Sequence, residues 1–92
     1  MATEAPIEGT VCNWAEEDGW HVRKLGYPGR RGAPDRMFIK DGRVVFVEFK
    51  RPGKKADALQ RRELSKLLAH GADVLTCDSI EEACAHLGIE PR

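Results

Sequence analysis

Gly32-Ala33-Pro34-Asp35-Arg36-Met37-Phe38-Ile39, followed by Val44-Val45-Phe46-Val47-Glu48-Phe49-Lys50, is the segment that decides how the rest of this 92-residue chain is read. Asp-Gly in the Lys40-Asp41-Gly42-Arg43 connection is a strong hairpin signal, so the runs on either side are expected to pair as antiparallel strands. Residues two apart on a strand share a face, which places Glu48 beside Lys50 and sends Val47 and Phe49 to the other side. Val44 to Phe49 is apolar on both faces until Glu48, as in a central strand, and a charge at the end of such a strand needs a partner or a metal. The turn at Pro34-Asp35 delivers a second carboxylate a hairpin's length away. Hard divalent cations take a few carboxylate oxygens and keep several waters, and an adjacent ammonium orients a water or offsets charge on a phosphate. Taken singly, Asp35 is a turn residue and Glu48 with Lys50 a surface ion pair. Their combination favours a site.

The wider series Gly-Ala-Pro-Asp-Arg, then Val-Phe-Val-Glu-Phe-Lys-Arg-Pro-Gly-Lys-Lys, then Gln60 resembles the VRR-NUC domain, a branch of the PD-(D/E)XK nuclease superfamily. The resemblance runs from about Glu4 to Leu87 and is strongest to small stand-alone phage and bacterial members. It implies a restriction-endonuclease-like α/β fold with a mixed β-sheet flanked by helices, and a Mg²⁺- or Mn²⁺-dependent nuclease. It implies further that Asp35 and Glu48 hold the metal, that the Phe49 carbonyl is a further ligand, that Lys50 is catalytic and that Gln60 belongs to the site. The family also carries a first-helix glutamate, for which Glu4 and Glu8, four apart, are both candidates; Glu8 is carried as a metal ligand too. The small stand-alone members are associated with homodimers that cut branched DNA such as four-way junctions. A branched-DNA-binding module without catalysis is the alternative, and a partner-binding α/β domain a second rival; the complete Asp and Glu-x-Lys set speaks against the former.

Length and composition bound the rest. Ninety-two residues make one domain, spanning 1–92, whose single core is small enough that a partner subunit would add stability. No apolar run approaches the roughly 20 residues of a membrane span, and Met1-Ala2-Thr3-Glu4 has no signal-peptide character, so a cytosolic protein without a membrane partner is expected; no small-molecule cofactor is expected either. Cys12, Cys77 and Cys84 lack metal-ligand spacing and are read as buried, reduced hydrophobes. The net charge is zero, but its distribution is uneven. Residues 23–66 hold fourteen Lys or Arg against five acids, a net of +9, whereas residues 1–22 and 67–92 are at −5 and −4. A basic centre around a carboxylate cluster suits a phosphate-bearing substrate. Lys24, Arg30, Arg31, Arg51, Lys54 and Lys55 are the candidate DNA contacts; a merely solvated charged surface is the competing reading.

Along the chain, Pro6 to Asp18 reads as a helix on the spacing of Ile7, Val11 and Trp14. Trp20 to Leu25 reads as a strand, with His21 on the surface. Gly26 to Pro34 is a mobile, basic loop by composition, in which Tyr27 either stacks on a base or packs beneath the loop. Asp57 caps a helix over Ala58 to about His70 whose core face is Leu59, Leu64, Leu67 and Leu68, and Gln60 closes a capping box. Ala72 to Cys77 is a further strand, and Ser79 opens a last helix ending at Leu87.

Overall fold

The computed structural model describes residues 4–92, with side chains from Pro6 onward. The elements run α1 (Glu4–Glu17), β1 (His21–Lys24), β2 (Arg36–Lys40), β3 (Arg43–Phe49), α2 (Ala58–Ala69), β4 (Asp73–Cys77) and α3 (Ile80–Leu87). They build one four-stranded sheet in the order β1-β2-β3-β4, antiparallel except for the parallel β3–β4 pair. The β2–β3 hairpin turns on Asp41 and Gly42, both at positive φ, as the two-residue turn matching strand twist requires. A parallel pair cannot be joined by a tight turn, so α2 serves as the crossover between β3 and β4.

One face of the sheet carries the core. Phe38, Val45, Val47 and Phe49 alternate onto it and are essentially buried, meeting Ile7, Val11 and Ala15 of α1 and Ala83, Cys84 and Leu87 of α3. Trp20 stands edge-on to Phe38 with ring centroids 6.4 Å apart, closing the end of that layer. The opposite face is covered unevenly. There α2 packs on β4, burying Leu64, while Met37, Ile39 and Phe46 are half-buried and Val44 is 38% exposed.

Two expectations need correction here. Leu59 and Leu68 are 43% and 57% exposed and do not belong to the core face of α2, because that helix rests on a single strand and has room for only a narrow apolar seam. The first helix starts at Glu4, ahead of Pro6. Proline is accommodated because the first-turn amides have no intrahelical acceptor to lose. Among the described residues no helix is long and apolar enough to cross a membrane.

Candidate active site

The β2–β3 register pairs Arg36 with Val47, so one further residue along places Asp35 opposite Glu48 at the end of the hairpin. Asp35 follows the buried Pro34, and its Oδ2 accepts the Phe49 amide at 2.8 Å, clasping the start of β2 to the end of β3. Glu48 is 1% exposed and the one buried charged residue among those described. Its Oε2 accepts from Gln60 Nε2 at 2.6 Å and lies 3.0 Å from Lys50 Nζ. Its Oε1 is buried and has no hydrogen-bond partner among the described residues. Strand alternation thus does what the Glu-x-Lys spacing predicts. Lys50 in turn extends the β3–β4 pairing by donating its amide to the Cys77 carbonyl at 2.8 Å.

Gln60 fills two roles at once. Its backbone amide donates to Asp57 Oδ1 and its Oε1 accepts the Asp57 amide, completing the capping box, while Nε2 is left to reach Glu48. The first turn of α2 is in turn seated against the loop before Asp35. Gly32 (φ +95°) lies so close that a Cβ there would stand 2.9 Å from the Leu59 carbonyl oxygen. Tyr27 donates from its hydroxyl to Glu63 Oε2 at 2.7 Å. The basic loop is therefore anchored to α2 at two points, and Tyr27 packs rather than presenting its ring for stacking.

The electrostatics are adverse to ionised carboxylates. Burial raises the Glu48 carboxyl above the ordinary carboxylate range; Lys50 opposes this and the charge on Asp35 adds to it. Asp35 is likewise raised by burial, with the Phe49 amide pulling it down and Glu8 pushing it further up. Burial also lifts the Cys12 thiol to about 11 and Cys77 to about 12, leaving both as inert hydrophobes.

Asp35, Glu48, Lys50, Gln60 and the Phe49 backbone therefore converge. Glu8 stands nearby, but its Oε2 is taken by Arg36 Nε at 2.6 Å, an ion pair absent from the sequence reading. The Glu4 side chain lies outside the described residues. Among the described residues no three His, Cys, Asp or Glu side chains cluster as a metal site. Lys50, Arg51, Lys54 and Lys55 line one 160 Å³ cavity beside the carboxylates. Lys24 is exposed at the end of β1, and Arg30 and Arg31 are exposed on the anchored loop, outside that cavity. The sequence reading overlooked Arg61, Arg62 and Lys66 on α2, although the four-residue spacing of Arg62 and Lys66 was a signal that those two share a helix face.

A helix, an antiparallel three-strand meander, a crossover helix and a parallel fourth strand, with carboxylates and a lysine at the end of the central hairpin, define the restriction-endonuclease-like fold. A solved chain described as a VRR_NUC domain superposes with a TM-score of 0.85 at 32% identity, covering 92% of this chain and 94% of that one. A "VRR_NUC domain protein" superposes at 0.81 over 96% and 88% of the two chains, at 18% identity, a likeness of fold alone. "Putative nuclease p44" of Acyrthosiphon pisum secondary endosymbiont phage 1 is 44% identical over 80 residues, 86% of each chain. No family model matches the sequence. With relatives at these identities over nearly the whole length, the chain belongs to the VRR-NUC nuclease family.

Proposed function

We propose that this protein is a metal-dependent endonuclease that hydrolyses DNA phosphodiesters, working as a homodimer on branched DNA such as four-way junctions. The observation that carries the catalytic reading is the Glu48 carboxylate. It is held by Gln60 and Lys50 through one oxygen, with the other oxygen buried and without a hydrogen-bond partner among the described residues, beside a second carboxylate whose burial also disfavours its charge. Leaving a buried acceptor unsatisfied costs about 1–3 kcal/mol, which a cation would offset. The donor set is all oxygen, as Mg²⁺ or Mn²⁺ prefers, and two carboxylates are enough for an ion that keeps several waters. Asp35, Glu48 and the Phe49 carbonyl would hold it, with Glu8 reaching the site if released from Arg36. Such an ion supplies Lewis acidity toward a phosphoryl oxygen and lowers the pKa of bound water.

The chain's own groups divide the remaining work. Gln60 fixes the rotamer of Glu48, so the carboxylate is oriented before substrate arrives. Lys50, one strand-face step from Glu48 and partly open to solvent, positions a water by hydrogen bonding and offsets charge developing on the phosphate. Lys54 and Lys55 hold the neighbouring backbone. The second copy in a dimer would sit on the thinly covered sheet face of Met37, Ile39, Val44 and Phe46, where apolar surface is left without a covering helix. Two-fold symmetry would then pair two sites for the two cuts a junction needs.

Incubation of labelled linear, flap and four-way substrates with Mg²⁺, Mn²⁺ or EDTA, alongside sedimentation at micromolar concentration, tests this. The expected result is a dimer that cuts junctions faster than linear duplex and is inactive in EDTA. Metal-independent cutting would overturn the metal reading, binding without cutting would make the protein a recognition module, and a monomer of 10.3 kDa with no junction preference would overturn dimer and substrate together.

A further inference from the structure

We propose that the outer face of α2 is a second phosphate-binding segment, carrying the DNA backbone away from the scissile phosphate along the line Lys54, Lys55, Arg61, Arg62 and Lys66. This rests on the nuclease reading and adds residues to its substrate contacts. Three cavities are linked through shared lining residues. The first, 160 Å³, is bordered by Lys50, Lys54 and Lys55; the last two also border a second of 350 Å³, which is shared through Arg61 with a third of 560 Å³ bordered by Arg61, Arg62 and Lys66. The shared residues make a continuous surface that begins at the catalytic lysine.

The helix is built to present that line. Arg62 and Lys66 are one turn apart, a rise of about 6 Å, close to two base-pair steps of roughly 3.4 Å along one strand. Ala58, Ser65 and Ala69 share their face and keep the floor low, so a sugar-phosphate backbone can approach the cations closely. The other face of α2 is already committed, Leu64 to the sheet and Glu63 to the Tyr27 hydroxyl. Glu63 is also the acid best spaced, three residues before Lys66, to neutralise that lysine, and its engagement with Tyr27 turns it toward the loop. Arg61 is braced by donating to the Ala56 carbonyl at 2.6 Å, and its guanidinium is thereby held at the junction between the second and third cavities. The side chains of Lys54, Lys55, Arg62 and Lys66 make no hydrogen bond or ion pair with the described residues. Asp78 and Glu82 line the middle cavity too, and their repulsion sets the phosphates on its Lys54, Lys55 and Arg61 side. Arg30 and Arg31 border none of the three cavities, so the α2 line is distinct from the basic loop.

The test measures DNA binding by fluorescence anisotropy in EDTA across a salt series, with the wild-type protein, Arg62→Ala/Lys66→Ala, and Ser65→Glu. Glutamate is a better helix former than serine, so the last variant adds a charge without weakening α2. The double variant is expected to lower the slope of log affinity against log salt by about 1.8, at roughly 0.9 per lost duplex phosphate contact. Ser65→Glu is expected to weaken binding, and both effects should fade on a substrate whose duplex stops at the cut. If the wild type binds and cuts while both variants keep its slope and affinity, the α2 segment is overturned and the nuclease reading stands. If the wild type neither binds nor cuts DNA, both fall.

Discussion

The two ends of the β3–β4 pair treat charge in opposite ways. At the start of these strands both oxygens of Asp73 are answered, Oδ1 by His86 at 2.6 Å and Oδ2 by Arg43 at 3.0 Å, and Arg43 also donates to the His86 carbonyl. Desolvation there is outweighed by His86 and Arg43, which hold the Asp73 carboxyl below its usual range. At the other end, three residues further along each strand and roughly 10 Å away, Glu48 and its neighbour Asp35 are pushed above theirs and one Glu48 oxygen has nothing to bond among the described residues. The first end is arranged for stability. The second carries electrostatic cost that stability alone would not select, the pattern expected of a functional site.

The comparison is tested most severely by Asp35→Asn and Glu48→Gln. Each should lower cleavage by on the order of 10² to 10⁴ while the melting temperature stays level or rises. The sign follows from the raised carboxyls: their contribution to stability is complete below the unfolded pKa near 4 and is lost as pH rises through the folded value. The variants should therefore gain on the wild type at neutral pH and lose that advantage in acid. Wild-type cleavage rates in both variants would place the chemistry elsewhere.

Gly32→Val comes next. A branched side chain at φ +95° against the Leu59 carbonyl should cost about 2–3 kcal/mol, and because the loop leads into Asp35 and α2 carries Gln60, cleavage should fall with it. Urea unfolding and single-turnover rates on the same preparation would show both losses; a stable and active variant would mean loop and helix are not coupled.

Asp73→Asn should behave as the reverse of the site variants, losing about 1 kcal/mol at neutral pH with cleavage unchanged. Asp73 has a depressed carboxyl, so its contribution is present above the unfolded pKa near 4 and disappears as pH falls through the folded value. Thermal unfolding of variant and wild type should consequently converge below about pH 4. The smallest effect is expected from Tyr27→Phe, at most about 1 kcal/mol, read as faster amide exchange in the Gly26–Pro34 loop.

What could be read in the sequence was whatever depends on near neighbours. Glu48 and Lys50 share a face because strand periodicity requires it, Asp41-Gly42 turns a hairpin because both positions tolerate positive φ, and Asp57 and Gln60 cap a helix from adjacent positions. The cysteines, read as buried hydrophobes, are buried. Arg36 with Glu8, Tyr27 with Glu63 and Asp73 with His86 are joined by tertiary packing, and no spacing rule announces such pairs. Leu59 and Leu68 fall outside the core because apolar periodicity marks which residues could face a core, not how much core is there to face. Gln60 was legible as a cap; its second bond, to Glu48, depended on where the crossover sets the helix down.

That crossover also fixes when the carboxylate becomes usable. Glu48 lies on a strand whose parallel neighbour comes later in the chain, and the amide that orients it belongs to the helix between them. Pairing of this kind is non-local and closes late. A nascent chain that has made the hairpin already holds Asp35, Glu48 and Lys50, yet has neither the amide that aligns Glu48 nor the strand that anchors Lys50. On the nuclease reading, unfinished chains are harmless to the nucleic acid around them, and hydrolytic competence arrives only with a completed fold.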